Sequence, residues 1–291
     1  MCIRDRLRIG ELGQVHRHEA SGALNGLFRV RTFTQDDAHI FMREDQIEEE
    51  VIRLINFIDR MYAIFGLTYD IELSTRPEEK YIGDIEIWNK SEDALEKACH
   101  KAGHDCKINP GDGAFYGPKL DFHIRDSLGR VWQCGTIQLD MNLPERFDLT
   151  YVDKDGSKKR PVMLHRVIYG SIERFIGILI EHYAGAFPLW LSPVQINVIP
   201  VNNEYHLEYA NKVVDELRSK GFRVELDARD EKMGYKIRES QTKKIPYTLV
   251  LGNNERDNNT ITYRMFGKEN SATIELSLIH ISEPTRPLYI S

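Results

Sequence analysis

Between residues 194 and 252 short apolar runs alternate with amphipathic stretches: VQINVIPV, EYHLEYANKVVDELRSKG, RVELDAR, MGYKIRESQTKK and IPYTLVLG. The first, third and fifth have the length and composition of strands, and the second and fourth repeat their apolar residues at helical spacing. Strand, helix, strand, helix, strand leaves few folds open, because strands joined through a helix pair in parallel with a crossover of one hand. The pattern predicts a small α/β domain over residues 192–276, with its boundary near Ser192, just before Pro193.

Residues 7–191 follow another grammar. Phe33, Gln35, Asp37 and His39 alternate with Thr34, Asp36 and Ala38, so in a strand the first four share a face. Arg17 and Glu19 share a face in the same way before the small-residue turn ASGALNG. The result is strand, turn, strand, with polar groups converging on one surface; a solvated hairpin alternates too, so periodicity alone assigns no function. EDQIEEEVIRLINFIDRMYAIFG then places Ile47, Val51, Leu54, Ile55, Ile58, Met61 and Tyr62 at helical spacing and stops at Gly66. YDIELSTRP reads as a strand, SEDALEKACHKAG as a helix, and GDGAFYGPKLDFHIRDSLGRVWQCGTIQLDMNLP as strands joined by the turn DSLG. PVMLHRVIYG is a further strand, and GSIERFIGILIEHYAGAFP is a helix apolar almost all round, which predicts burial. The fold class is α+β: an antiparallel-sheet domain, then the small α/β domain.

Bulk properties remove several functions. No apolar run approaches the ~20 residues that span a bilayer, and no apolar signal region opens the chain, so no membrane partner is expected. Cys2, Cys99, Cys106 and Cys134 show no repeating spacing, which points to a reducing, cytoplasmic setting rather than a disulfide framework. A net charge of −6 argues against an electrostatic nucleic-acid glue but leaves room for a local basic patch. MCIRDR (1–6) and SLIHISEPTRPLYIS (277–291) resemble translated sequencing-adaptor sequence and are expected to be non-native tails, which removes Cys2 as a ligand.

Three segments together resemble one family. The hairpin from Arg8 to Phe41 resembles motif 2 of class II aminoacyl-tRNA synthetases, and GSIERFIGIL resembles their motif 3. With GAFYGPK, QCGTIQLD, VMLHR and the α/β domain, the chain resembles the threonyl-tRNA synthetases from Leu7 to about Leu276. The resemblance implies a class II catalytic core and an anticodon-binding domain, and a ligase that joins threonine to its tRNA through an adenylate, using ATP with Mg2+. Forming that adenylate brings a carboxylate onto a phosphate, so negative charge must be neutralised. By the resemblance, Arg17 holds the α-phosphate and carboxylate, Glu19 meets the adenine amino group, Arg29 contacts phosphate, Phe33 stacks on adenine and Arg174 holds the γ-phosphate. Gln133 and Thr136 match ATP contacts; Gln35, Asp37, Tyr116 and Gln138 match threonine contacts; Lys119 matches a basic residue of the same pocket. His39 and His165 match two of three Zn2+ ligands, through which threonine is told from valine by its hydroxyl, a distinction shape alone makes poorly. Without the family, Arg174 still draws notice, since a cation in a first helical turn opposes the helix dipole and needs an anion, a phosphate or the neighbouring Glu173.

Other readings stay beside these. Cys99, His100, His104 and Cys106 are zinc-type donors, but their spacing matches no common finger and reads as a helix end. From Arg229 to Lys244, six basic residues face three acidic ones, a solvated helix face or, in an anticodon-binding domain, an RNA contact through Arg229, Lys232 and Lys236. A non-catalytic synthetase-like RNA-binding regulator is the alternative to the ligase. The family's motif 1, its homodimer interface and its cysteine zinc ligand lie upstream of motif 2, so the chain as written is expected to be an inactive piece of such an enzyme.

Overall fold

The computed structural model describes residues 6–276, which form two units that divide between His182 and Tyr183. The adaptor-like tails lie outside the described residues except for Arg6, which is ion-paired to Glu50 at 2.8 Å.

The first unit runs β1 (Leu7–His16), β2 (Thr32–Met42), α1 (Ile47–Ile64), β3 (Tyr69–Ser74), α2 (Ile85–Lys101) and β4 (Cys106–Asn109). It continues with β5 (Lys119–Arg125), β6 (Val131–Asp140), α3 (Leu143–Arg146), β7 (Tyr151–Val152), β8 (Lys158–Lys159), β9 (Val162–Ser171) and α4 (Ile172–His182). Seven strands form one sheet in the order β1-β2-β9-β6-β5-β3-β4. Every neighbouring pair is antiparallel except β3 and β4, which α2 joins as a crossover. In α1 the predicted stripe is buried from Ile47 through Val51, Leu54, Ile55, Ile58 and Tyr62, and Gly66 turns the chain with φ +69°. The motif 3 helix α4 departs from expectation: Phe175, Gly177, Ile178 and Leu179 are buried, but Ile176 and Ile180 are exposed. The two exposed residues are one helical turn apart, so the apolar surface continues onto the outer face.

The second unit runs β10 (Ile196–Pro200), α5 (Asn203–Ser219), β11 (Val224–Leu226), α6 (Met233–Thr242), β12 (Tyr247–Leu251), α7 (Asn253–Asn258), β13 (Thr260–Met265) and β14 (Ser271–Glu275). Its sheet has the order β11-β10-β12-β13-β14. The three strands expected from the alternation pair in parallel, and β13 and β14 add an antiparallel extension. Arg223 ties the segment leading into β10 to this unit by donating to the carbonyls of Trp190 and Ser192.

Candidate active site

One cavity of about 470 Å³ opens on the face of the first sheet shared by β2, β9 and β6. It is lined by Arg17, Glu19, Arg29, Phe33, Gln35, Asp37, Tyr116, Lys119, Gln133, Thr136, Gln138, His165 and Arg174 among others. His39 is the one residue of the expected constellation outside that lining, yet it pairs in register with His165, ring centroid to ring centroid 4.8 Å.

At one end sit cations. The β1–β2 hairpin closes where Arg17 N–H donates to Arg31 O at 2.8 Å, and the Arg17 guanidinium lies 5.1 Å from the Phe33 ring centroid. Arg17 has no carboxylate partner among the described residues. Arg29 is held by Glu19 at 3.0 Å, so Glu19 and Arg29 orient one another. Arg174 Nε donates to Phe28 O at 2.8 Å and Nη1 to Gln133 O at 2.9 Å. Burial pushes the Arg174 guanidinium below its ordinary pKa, and Arg17 and Arg29 add to that effect. Glu173 does not compensate Arg174: its carboxylate accepts the Thr34 N–H at 2.9 Å and 3.0 Å. The cations therefore face the cavity with part of their hydrogen-bonding capacity unspent, the electrostatics of an anion site.

Gln133, Thr136 and Gln138 share the cavity face although 133 and 136 are an odd number of residues apart. A bulge explains it: Phe122 pairs with Gly135 and His123 with Gln133, so Cys134 is left over and resets the alternation. Asp121, buried at 1 % exposure, anchors this row. It accepts from Gln133 Nε2 at 2.6 Å, Thr136 Oγ1 at 3.3 Å and Ser74 Oγ at 2.7 Å, and pairs with Lys119 at 2.8 Å. Lys119 is thus held in place by a carboxylate rather than free.

The other end holds the imidazoles. His165 Nε2 lies 2.9 Å from Asp140 Oδ2, and Asp140 also accepts the N–H groups of Asn142 and Leu143 through Oδ1. A carboxylate accepts, so in the neutral imidazole this contact is made by a proton on Nε2, with Nδ1 left as the acceptor. His39 Nε2 stands 4.0 Å from Asp37 Oδ2. Tyr116 donates to Gln138 Oε1 at 2.8 Å, and burial together with Asp140 and Asp37 pushes its hydroxyl up to about 12. Two facing imidazoles, one backed by a carboxylate, suit zinc. Among the described residues no group of three His, Cys, Asp or Glu side chains is placed to hold a metal.

The competing cysteine cluster does not assemble either. Cys99 is buried, and burial with the Cys106 thiol beside it pushes it up to about 12, while His104 is engaged by Asp59 at 3.0 Å. In the second unit the basic segment divides. Lys232 is exposed; Arg229 is clamped between Asp227 and Glu239, each at 2.6 Å. Lys236 is 3 % exposed and donates to Asp227 O at 3.1 Å. Its ammonium is committed to that carbonyl, whereas Lys232 stands in solvent.

Sequence reasoning found most of the polar residues that face the cavity, missed Arg166 in its lining, and missed the carboxylates behind them, Asp36, Asp121 and Asp140. Alternation tells which face a side chain takes, and these act from the reverse face or from a neighbouring strand. Asp36 accepts from three backbone N–H groups of β9; burial pushes its carboxyl up, against the lowering effect of those donors and of Arg166.

The profile of the tRNA synthetase class II core domain (G, H, P, S and T) matches residues 3–183, and that of an anticodon binding domain matches residues 195–281. A threonine–tRNA ligase of Fusobacterium nucleatum is 62% identical over 264 residues, covering 90% of this chain and 42% of the relative. The corresponding ligase of Clostridium tetani is 60% identical over 258 residues, covering 89% and 40%. The chain therefore spans about two fifths of the length of these curated relatives. Among solved structures, the RNA binding domain of threonyl-tRNA synthetase from Cryptosporidium parvum Iowa II superposes with a TM-score of 0.88 at 46% identity, covering 93% of this chain and 68% of that one.

Proposed function

Because this chain belongs to the threonyl-tRNA synthetase family of class II synthetases, we propose that its cavity binds ATP and threonine and forms threonyl-adenylate for transfer to a threonine tRNA. The observation that carries this reading is the convergence of Arg17, Arg29 and Arg174 on one cavity beside the Phe33 ring. Adenine stacks on Phe33 with its amino group toward Glu19, and Arg29 holds a phosphate. Arg17 bridges the α-phosphate and the threonine carboxylate, lowering the repulsion as a carboxylate oxygen bonds to the α-phosphorus. Pyrophosphate leaves toward Arg174, whose fixed guanidinium takes up charge without reorganising. Gln133 and Thr136 line the ATP side, and Mg2+ accompanies the triphosphate as part of the substrate.

Gln35, Asp37, Tyr116 and Gln138 surround the amino acid. His39 and His165 would hold Zn2+, whose chemistry there is to demand an oxygen and a nitrogen ligand that valine cannot supply together. Asp140 keeps the His165 proton away from that side. In the second unit, the exposed Lys232 is the first candidate for tRNA contact, with the clamped Arg229 and the buried Lys236 behind it.

The test is threonine-dependent ATP–pyrophosphate exchange by this chain joined to the upstream region of its Fusobacterium relative. Exchange is expected, with His165→Ala losing bound zinc and discrimination against valine. No exchange with anticodon stem-loop binding intact would instead favour a non-catalytic RNA-binding regulator.

A further inference from the structure

The β2–β9 ladder is out of step over a short stretch: Gln35 pairs with Ser171 and Asp37 with Val167, so one residue of β2 faces the three residues Ile168, Tyr169 and Gly170. Their amides cannot continue the ladder, and buried N–H groups need acceptors. The residue opposite is Asp36. Its carboxylate accepts from Ile168 N at 2.8 Å, Tyr169 N at 3.0 Å and Gly170 N at 2.9 Å. Tyr62 of α1 closes the same bulge, donating to Ile168 O at 2.6 Å. Gly170 takes φ +70° with its would-be Cβ 2.5 Å from Cys134 O, so β6 limits the bulge on the other side.

The bulge stands between the two ends of the cavity. His165 and Val167 precede it on the imidazole side; Ser171 and α4 follow it, where Ser171 Oγ accepts the Arg174 N–H at 3.2 Å. The path from Gly170 to Arg174 is four residues, so the bulge sets where the Arg174 backbone starts, while Phe28 O and Gln133 O hold its guanidinium. Gln35 and Asp37, the neighbours of Asp36, face the cavity from β2 and pair with Ser171 and Val167 on either side of the bulge.

We propose that Asp36 is a positioning residue: by holding the β9 bulge it sets where Arg174 stands, and so governs the grip on the terminal phosphates of the nucleotide. This rests on the reading of the cavity as an ATP site. A carboxylate is required because it alone offers acceptors to three donors at once; asparagine would turn an NH2 group toward one of them.

The test is calorimetric titration of the 291-residue chain with MgATP and, separately, with AMP, which lacks the terminal phosphates. Asp36→Asn is expected to weaken MgATP at least tenfold and AMP less than twofold. Arg174→Ala should do the same, and the double variant should be no weaker than Arg174→Ala alone, since Asp36 acts through Arg174. Amide exchange at residues 168–170 should accelerate in Asp36→Asn. If Asp36→Asn does not fold, Tyr62→Phe, which frees Ile168 O, is expected to shift the MgATP-to-AMP ratio in the same direction. MgATP and AMP weakened alike, or additive losses in the double variant, would overturn the proposal alone. A wild-type chain that binds neither nucleotide would overturn the ATP reading and the proposal with it.

Discussion

Glu50 shows how one residue can join elements that sequence spacing keeps apart. It lies in an acidic run, EEE, that reads as solvated surface, yet it occupies the buried stripe of α1 at 0 % exposure. Arg6 and Arg8 reach it from the start of the chain and Arg53 from one turn along the helix, at 2.8, 2.7 and 2.5 Å. Burial works against its ionisation, but hydrogen bonds from Arg8, Arg53 and Arg6 bring its carboxyl down to about 2. A carboxyl depressed in the folded state contributes stability that is present above its unfolded pKa and lost as pH falls through the folded value. Acid unfolding should therefore carry a Glu50 contribution between about pH 4.3 and pH 2 that Glu50→Gln abolishes. At pH 7 the same variant is expected to cost about 3 kcal/mol, the low end for breaking a buried pair since Arg8 and Arg53 stay half in water. Urea midpoints at the two pH values measure both effects. The stripe itself marked position 50 as inward; its distant partners Arg6 and Arg8, more than forty residues away, left no mark in local sequence.

At the scale of elements, the helix stripe of α1, the strand pattern of β10 to β12 and the alternation of β2 were all legible, because each is a local period. What spacing cannot carry is a break in period. Cys134 in β6 and the 168–170 segment of β9 both bulge, and together they bring Gln133 and Arg174 to the face of Thr136 and Gln138. Nor does composition tell a buried helix from one with a second apolar side, as Ile176 and Ile180 of α4 show. Close packing between elements is equally hidden. Gly117, which follows Tyr116, passes so near β6 that a Cβ would stand 1.9 Å from Leu139 O, a backbone atom with nowhere to go. Gly117→Ala is expected to destabilise the first unit by about 1–3 kcal/mol and to displace the Tyr116 hydroxyl from Gln138. A unit that keeps its urea midpoint after this change would mean that β6 and the Tyr116 loop are not locked together.

For the whole molecule, the second unit carries its own core: Leu189, Ile196, Val198, Val213, Leu217, Leu249, Leu251, Ile261 and Leu276 are buried in one cluster. Residues 183–276 alone are expected to unfold cooperatively on heating; a gradual, featureless melt would show that this core is insufficient. The sequence pattern stopped at Gly252; β13, half-buried apart from buried Ile261 and exposed Met265, and β14, mostly exposed, escaped it because their Thr, Ser, Arg and Glu side chains read as a polar tail. The central claim concerns the other unit, that the cavity holding Arg17 and Arg174 is built for an aminoacyl-adenylate. Titration of the 291-residue chain with a non-hydrolysable threonyl-adenylate analogue tests it most directly. Saturable binding at one site per chain is expected, weakened about tenfold or more by Arg17→Ala, the loss of a charge-assisted hydrogen-bonding group. Failure to bind, or an affinity that Arg17→Ala leaves unchanged, would contradict the account.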